Sequence, residues 1–115
     1  MTINEIKAIL RRDKNLAHQD LGGLDLHGID FSGADLQFAN LAGANLRECN
    51  LTRANLLGAD LCCANLSYAR LAGSNLERTV LRDTRLIGVD FGEPAWLHEG
   101  SLVKKKAEQV AVAAV

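Results

Sequence analysis

The 115-residue sequence predicts an all-β solenoid, in which the chain coils around one apolar axis, and three observations indicate this fold class. Leu or Phe recurs every five residues without a break from Leu21 to Phe91. The residue two positions earlier is usually small, most often Ala, and the residue directly before is usually Asp or Asn. Short regular repeats are typical of proteins in which each unit stacks on its neighbours.

The five-residue period fits neither standard secondary structure. Five residues of an α-helix rotate by about 140°, so the Leu series would spiral around the helix. Side chains of a flat strand alternate between two faces, so Leu21 and Leu26 would point in opposite directions. The chain must therefore turn a corner every five residues to keep these side chains on one axis. The predicted core residues are Leu21, Leu26, Phe31, Leu36, Leu41, Leu46, Leu51, Leu56, Leu61, Leu66, Leu71, Leu76, Leu81, Leu86 and Phe91.

The repeated motif resembles A-(D/N)-L-x-x of the pentapeptide-repeat family. Ala44-Asn45-Leu46, Ala54-Asn55-Leu56 and Ala59-Asp60-Leu61 match it without a change, and the resemblance covers residues 19–93. It implies a right-handed four-sided β-helix with one pentapeptide per side, about 20 residues per coil and about four coils. Small proteins of this family are frequent in cyanobacteria, so the resemblance also implies a bacterial source.

Residues 1–18 are predicted to close the first coil. Thr2 and Glu5 fit a capping box, and Ile3, Ile6 and Leu10 would then lie on one helical face. We therefore expect a helix from about Ile3 to Asp13 that lies across the first coil. Leu16 fits one further pentapeptide before the continuous series.

Residues 94–115 are predicted to close the other end. Pro94 ends the repeat, Trp96 and Leu97 could plug the last coil, and Ser101 could cap a second helix. This segment could dock on its own chain, contact a second molecule in a weak dimer, or form a disordered tail. The oligomeric states left open are therefore a monomer and a weak dimer.

Two positions of the repeat are located at its corners. We call the Asp or Asn before each core residue the Asx position, and we expect its side chain to bond the backbone at the turn. We call the residue two places after each core residue the corner position, where Gly is common. Phe38, Arg53, Tyr68 and Arg78 also occupy corner positions, so the sequence predicts that φ need not be positive there in every coil.

The histidines and cysteines give no site with a strong signal. His18, His27 and His98 lack ligand spacing, which favours ordinary surface histidines. The adjacent pair Cys62 and Cys63 should point outward as free thiols, with a redox role as the less favoured alternative. Cys49 takes the place of an inward Ala and should be an inert core residue.

The sequence also lacks a recognisable catalytic motif. It shows no nucleophile elbow, no Ser-His-Asp order and no phosphate-binding Gly-rich loop. A coil filled with Leu would have no internal cavity for a substrate. We therefore expect a protein that is not an enzyme and holds no cofactor or metal.

Charge and hydropathy exclude further classes. The net charge of −1 makes a nucleic-acid partner unexpected, and no apolar stretch reaches the length of a membrane span. No secretory signal is visible and three Cys is an odd number, which predicts a cytoplasmic location. Residues 19–50 are acidic, and the first coil carries one carboxylate on each side. We interpret these as turn caps: Asp20, Asp25, Asp30 and Asp35.

Outward positions 20 residues apart should stack, which predicts two exposed apolar pairs. Phe38 and Leu57 form one pair and Tyr68 and Ile87 the other, on opposite faces. Each could contact a partner or receive a terminal helix. The leading hypothesis is a non-catalytic scaffold or protein-interaction module with an unknown protein partner. The alternative, implied by the resemblance, is a DNA-mimicking inhibitor or protector of a topoisomerase such as gyrase.

Overall fold

A computed structural model describes residues 1–92 of the chain. Within them the chain forms one helix, α1 (Ile3–Arg12), and then a coil held together by isolated parallel β-bridges from Asn15 to Asp90. The predicted C-terminal plug and second helix, with the weak dimer assigned to them, lie outside the described residues. No helix among residues 1–92 is long and apolar enough to cross a membrane.

The bridges fix the number of residues in one coil. Each pairs a residue with the one 20 positions later, as in Asn55 with Asn75. Backbone bonds reinforce this register: the Leu36 N–H donates to the Asn55 carbonyl at 2.8 Å, and the Asn55 N–H donates to the Ala34 carbonyl at 2.9 Å. Because the chain bends every five residues, a 20-residue coil has four sides. Residues 15–92 make just under four coils.

The core is the column of Leu and Phe side chains that the period predicts. These side chains are almost inaccessible from Leu16 to Leu76, and Leu81 is 9 % exposed. Leu86 and Phe91, predicted as core, are only partly buried. Both belong to the last pentapeptides of the repeat in the sequence.

The residues two positions before each core Leu or Phe also point inward, and their type changes along the chain. From Ala34 to Ala69 these positions hold Ala or Cys49, all with at most 1 % exposure. Near the end they hold buried hydroxyl residues instead. The hydroxyls of Thr79 and Thr84 donate to the carbonyls of Leu56 and Leu61 at 2.8 Å. These bonds allow polar groups inside the column without the desolvation cost of an unpaired group.

Helix α1 covers the start of the coil, as the apolar spacing predicts. The Glu5 N–H donates to the Thr2 hydroxyl at 3.2 Å, and that hydroxyl donates to the Glu5 carboxylate at 3.1 Å. Ile6 is completely buried, and Leu10 packs against the core. Ile29, which is larger than the Ala usual at such inner positions, also packs against the core. The wider first coil thus meets an apolar helix face.

The corner positions correct the prediction about φ. All fifteen corner positions from His18 to Gly88 have φ between 55° and 72°, and eight of them are not glycine. At each corner a β-turn closes, as in the bond from the Ala39 N–H to the Leu36 carbonyl at 3.1 Å. Positive φ at the third residue is the requirement of a type II turn. The turn geometry therefore applies in every coil, whatever residue occupies the corner.

The Asx positions cap the turns as predicted. The Oδ1 atom of Asp20 accepts the Gly22 N–H at 3.0 Å, and that of Asn55 accepts the Leu57 N–H at 3.1 Å. Some Asx side chains also bond along the stack, as when the Asn40 amide donates to Asp20 at 3.0 Å. The four carboxylates of the first coil all accept such backbone bonds, in agreement with their interpretation as caps.

The caps predict that the protein loses stability in acid. Hydrogen bonds from the side chain and backbone of His27 lower the pKa of Asp25, and those of Ser32 lower the pKa of Asp30, both from an ordinary value of 3.8. A carboxyl whose folded pKa is lowered stabilises the fold above its unfolded pKa, and this contribution disappears as pH falls through the folded value. The thermal unfolding midpoint, followed from about pH 6 to about pH 3, should fall at the acid end. Asp25→Asn should reduce that fall, and an unchanged pH profile in this variant would contradict the role of Asp25.

Candidate protein-binding surfaces

One exposed aromatic ring lies on the side of the coil that carries residues 18, 38 and 58. Phe38 is 48 % exposed, and its ring stacks on His18 with centroids 5.4 Å apart and an interplanar angle of 17°. The ring also lies over Gly58, where a Cβ atom would collide with it. We call His18, Phe38 and Gly58 the Phe38 ledge. Three stacked corner positions therefore hold one ring flat against the rod.

A second ring lies half a coil away, on the opposite side. Tyr68 is 51 % exposed, and the guanidinium carbon of Arg47 lies 5.1 Å from its ring centroid. A Cβ atom at Gly88 would collide with this ring as well. We call Arg47, Tyr68 and Gly88 the Tyr68 ledge. Its cation–π contact adds a positive charge to an aromatic surface.

The two predicted aliphatic neighbours differ from each other. Ile87 is 67 % exposed beside the Tyr68 ledge, as expected for an outward position. Leu57 is only half-buried rather than freely exposed. The apolar surface beside Phe38 is thus smaller than the sequence pattern predicts. Whether these four residues contact a partner stays a prediction.

Gly58 should be the residue that admits the Phe38 ring. Gly58→Ala places a methyl group where the ring lies, whereas Gly43→Ala, at an almost identical φ, meets nothing within 4 Å. Both variants carry the left-handed strain of a non-glycine residue, about 1–2 kcal/mol. Gly58→Ala should therefore lose more stability in urea unfolding than Gly43→Ala, and should break the His18–Phe38 stacking, seen as a changed His18 ring signal in NMR. Equal losses with unchanged ring signals would show that the ring does not lie over Gly58.

A basic cleft was not predicted from the sequence. Lys14, Arg53 and Arg70 line an open cleft of about 420 Å³, where the Lys14 ammonium donates to the Ser32 carbonyl at 2.8 Å. Three cations around one cleft attract anions. A 20-residue coil would have allowed the sequence to predict that Arg70 lies next to Asn50. The position of Lys14 could not be predicted in this way, because it depends on where helix α1 ends.

A second open cleft adjoins the first at Lys14. It measures about 440 Å³ and lies between helix α1 and the first coil, with Lys7, Arg11, Lys14 and His27 among its lining residues. Asp30 also lines it and offsets part of the positive charge. The acidic first coil is therefore bordered on this side by basic residues of the helix.

The described histidines have ordinary surroundings. His18 stacks on Phe38, and the Nδ1 atom of His27 lies 3.1 Å from the Asp25 carboxylate, while His98 lies outside the described residues. Residues 1–92 contain no group of three or more His, Cys, Asp or Glu that could hold a metal ion.

The cysteines occupy the predicted inward and outward positions. Cys49 is buried, its thiol donates to the Leu26 carbonyl at 3.0 Å, and burial raises its pKa to about 11. Such a thiol is protonated at neutral pH, which agrees with an inert core residue. Cys62 is half-buried and Cys63 is exposed.

Three solved structures are similar to this chain. A pentapeptide repeat protein of Nostoc (alr5209) is 30 % identical, with 81 % of this chain and 87 % of that chain covered and a TM-score of 0.45. A second, Rfr23 of the cyanobacterium Cyanothece, is 22 % identical over 77 % of this chain and 95 % of its own, with a TM-score of 0.40. HetL of Nostoc, described as involved in heterocyst differentiation regulation, is 34 % identical over 70 % of this chain and 43 % of its own, with a TM-score of 0.36.

A search of curated protein sequences finds no match. The model of one family, described as pentapeptide repeats in eight copies, matches four overlapping segments: residues 15–47, 29–67, 39–78 and 63–93. These segments together cover more than half of the chain and coincide with the coil of Asx caps and inward Leu residues. The protein is a member of the pentapeptide-repeat family.

Proposed function

We propose that this protein is a non-catalytic protein-binding module, built on a right-handed four-sided β-helix, that contacts its partner through the Phe38 and Tyr68 ledges. The observation that carries the proposal is the placement of two half-exposed aromatic rings at corner positions. Phe38 and Tyr68 have φ of 55° and 62°, values that favour glycine. Glycine itself occupies seven of the fifteen corners.

Rigidity makes these rings suitable contact groups. A ring that is already stacked on His18 or on Arg47 loses little conformational freedom when a partner binds. Aromatic residues and Arg are also enriched among the residues that dominate binding energy at protein interfaces. Ile87 and Leu57 would extend the two ledges by small apolar areas.

Filled interior space supports a binding role over a catalytic one. Core Leu side chains from Leu16 to Leu66 have no solvent exposure, so the column they fill has no room for a substrate. Three Lys or Arg side chains line each of the two open clefts.

The DNA-mimic alternative receives less support from the described surface. The four carboxylates of the first coil are used as turn caps. Basic side chains of Lys7, Arg11 and Lys14 stand next to that coil. An acidic stripe along the rod, which imitation of a DNA backbone would need, is therefore interrupted.

Affinity capture from the native cell tests the proposal. The bait would be compared with Phe38→Gly, Tyr68→Gly and the control Asp83→Gly, each of which places glycine at a corner position. We expect a partner that is retained by Asp83→Gly and lost from at least one ledge variant, with binding then measured on the purified pair. A partner bound equally by all four baits would overturn the role of the ledges.

A further inference from the structure

The adjacent thiols of the third coil form a compact pair on the outside of the rod. The Sγ atoms of Cys62 and Cys63 lie 3.3 Å apart. The backbone beneath them is fixed from two directions: the Cys62 N–H donates to Asp60 at 2.9 Å, and the Cys63 N–H donates to the Arg82 carbonyl at 3.0 Å. Cys63 also has a φ of 65° at its corner. Two sulfur atoms are thus presented side by side on a rigid turn.

A direct disulfide is a poor product for this pair. Neighbouring Cα atoms across a trans peptide are about 3.8 Å apart, whereas disulfides ordinarily join Cα atoms about 4.4–6.8 Å apart. Closing the bond between Cys62 and Cys63 would therefore strain the turn that the Asp60 cap holds. A third atom that bonds to both sulfurs, and so bridges them, avoids this strain.

A tetrahedral metal ion is also a poor occupant. Structural zinc takes four protein ligands. Among the described residues no third His, Cys, Asp or Glu joins the pair in a group that could hold a metal ion. A cation also lies beside the pair: an Nη atom of Arg82 is 3.8 Å from the Cys62 sulfur. The site therefore suits an atom that needs only two protein sulfurs as its ligands.

We propose that Cys62 and Cys63 form a dithiol site for trivalent arsenicals. Trivalent arsenic forms three bonds that meet at nearly right angles, so it bridges sulfurs that lie close together and keeps one substituent of its own. In the reaction with a hydrated organoarsenical, two As–S bonds form and two As–OH bonds break. The two thiol protons leave with the two hydroxyl groups as two molecules of water. No electrons are transferred, so the step needs no oxidant.

The rest of the chain offers matched variants. At the equivalent positions one coil earlier the residues are Ala42 and Gly43. Cys62→Ala and Cys63→Gly therefore introduce residues that the preceding coil already has at these positions. Cys49→Ala gives the inner position its usual residue and serves as the control.

The test is titration of the full chain with phenylarsine oxide, read by intact-protein mass and by mass spectrometry of peptides. The wild type and Cys49→Ala should bind one equivalent, located on the peptide that contains Cys62 and Cys63. A dithiol competitor should release it more readily than a monothiol. Cys62→Ala and Cys63→Gly should bind on the order of a hundredfold more weakly, because the second bond is no longer intramolecular.

Two results would overturn the proposal. One is the absence of a bridged adduct on the wild-type chain, or an adduct located at Cys49. The other is wild-type affinity in either single-thiol variant. Circular dichroism of each variant shows whether it folds, and the peptide mapping on the wild type decides the question even if a variant does not.

Discussion

A single alanine inserted between Leu56 and Leu57 is expected to abolish the cooperative unfolding of the coil. The insertion moves every later residue by one place, so bridges such as Asn45 with Asn65 and Asn55 with Asn75 can no longer form in register. The Leu column below the insertion would also lose its alignment with the column above. Far-UV circular dichroism during heating should show a broad, early transition, and limited proteolysis should cut the C-terminal half.

The matched control is an insertion that keeps the register. A second copy of residues 44–63 placed directly after Cys63 adds one complete coil and preserves every stacking relation. Because stability in repeat proteins grows with the number of neighbouring interfaces, this variant should melt at or above the wild-type temperature. A one-residue insertion that melts like the wild type would show that the coil does not depend on the 20-residue spacing.

Leu56→Ala is expected to cost about 2–5 kcal/mol in the free energy of unfolding. Leu56 has no solvent exposure and lies in the middle of the column, where the adjacent inner residues Ala54 and Ala59 are already small. Those neighbours cannot fill the space that the removed side chain leaves. Urea unfolding measures the effect through the midpoint and slope of the transition.

Leu57→Ala is the control for that substitution, because it removes the same atoms one position later in the chain. Leu57 is half-buried on the outer side of the coil. Its loss should cost less than that of Leu56, because part of the Leu57 side chain already faces water in the folded protein. Comparable losses at Leu56 and Leu57 would contradict the assignment of inward and outward positions.

Much of the fold follows from the period because the core dominates the energetics. A residue that recurs every five positions must face a common axis, and burial of each Leu contributes about 1.5–3 kcal/mol. The Asx caps and helix α1 were predictable for a related reason, since each follows from local hydrogen-bonding chemistry at a turn or helix end. Partial burial of Phe91 could not be read from the motif, which is the same at the end of the column as in its middle.

The corners and surfaces were harder to predict. A left-handed conformation costs a residue such as Arg53 or Tyr68 only about 1–2 kcal/mol, which the stacked coils can impose. Side-chain identity therefore does not report the backbone conformation at a corner. The ledges depend on which way a ring turns, and Phe38 turns over Gly58 because that position has no Cβ atom. The 20-residue coil places the two residues next to each other but does not give the ring orientation.

Cross-linking of stacked positions tests the coil most directly. In a chain carrying Cys49→Ala, Cys62→Ala and Cys63→Gly, cysteines would replace His27 and Arg47, which lie 20 residues apart. Stacked backbones are about 4.8 Å apart, within the range that a disulfide joins, so this pair should form an intramolecular disulfide under mild oxidation while the protein stays folded. A control pair at His27 and Gln37, on opposite sides of the Leu column, should stay reduced. Cross-linking of the control pair in preference to the stacked pair would contradict a 20-residue coil.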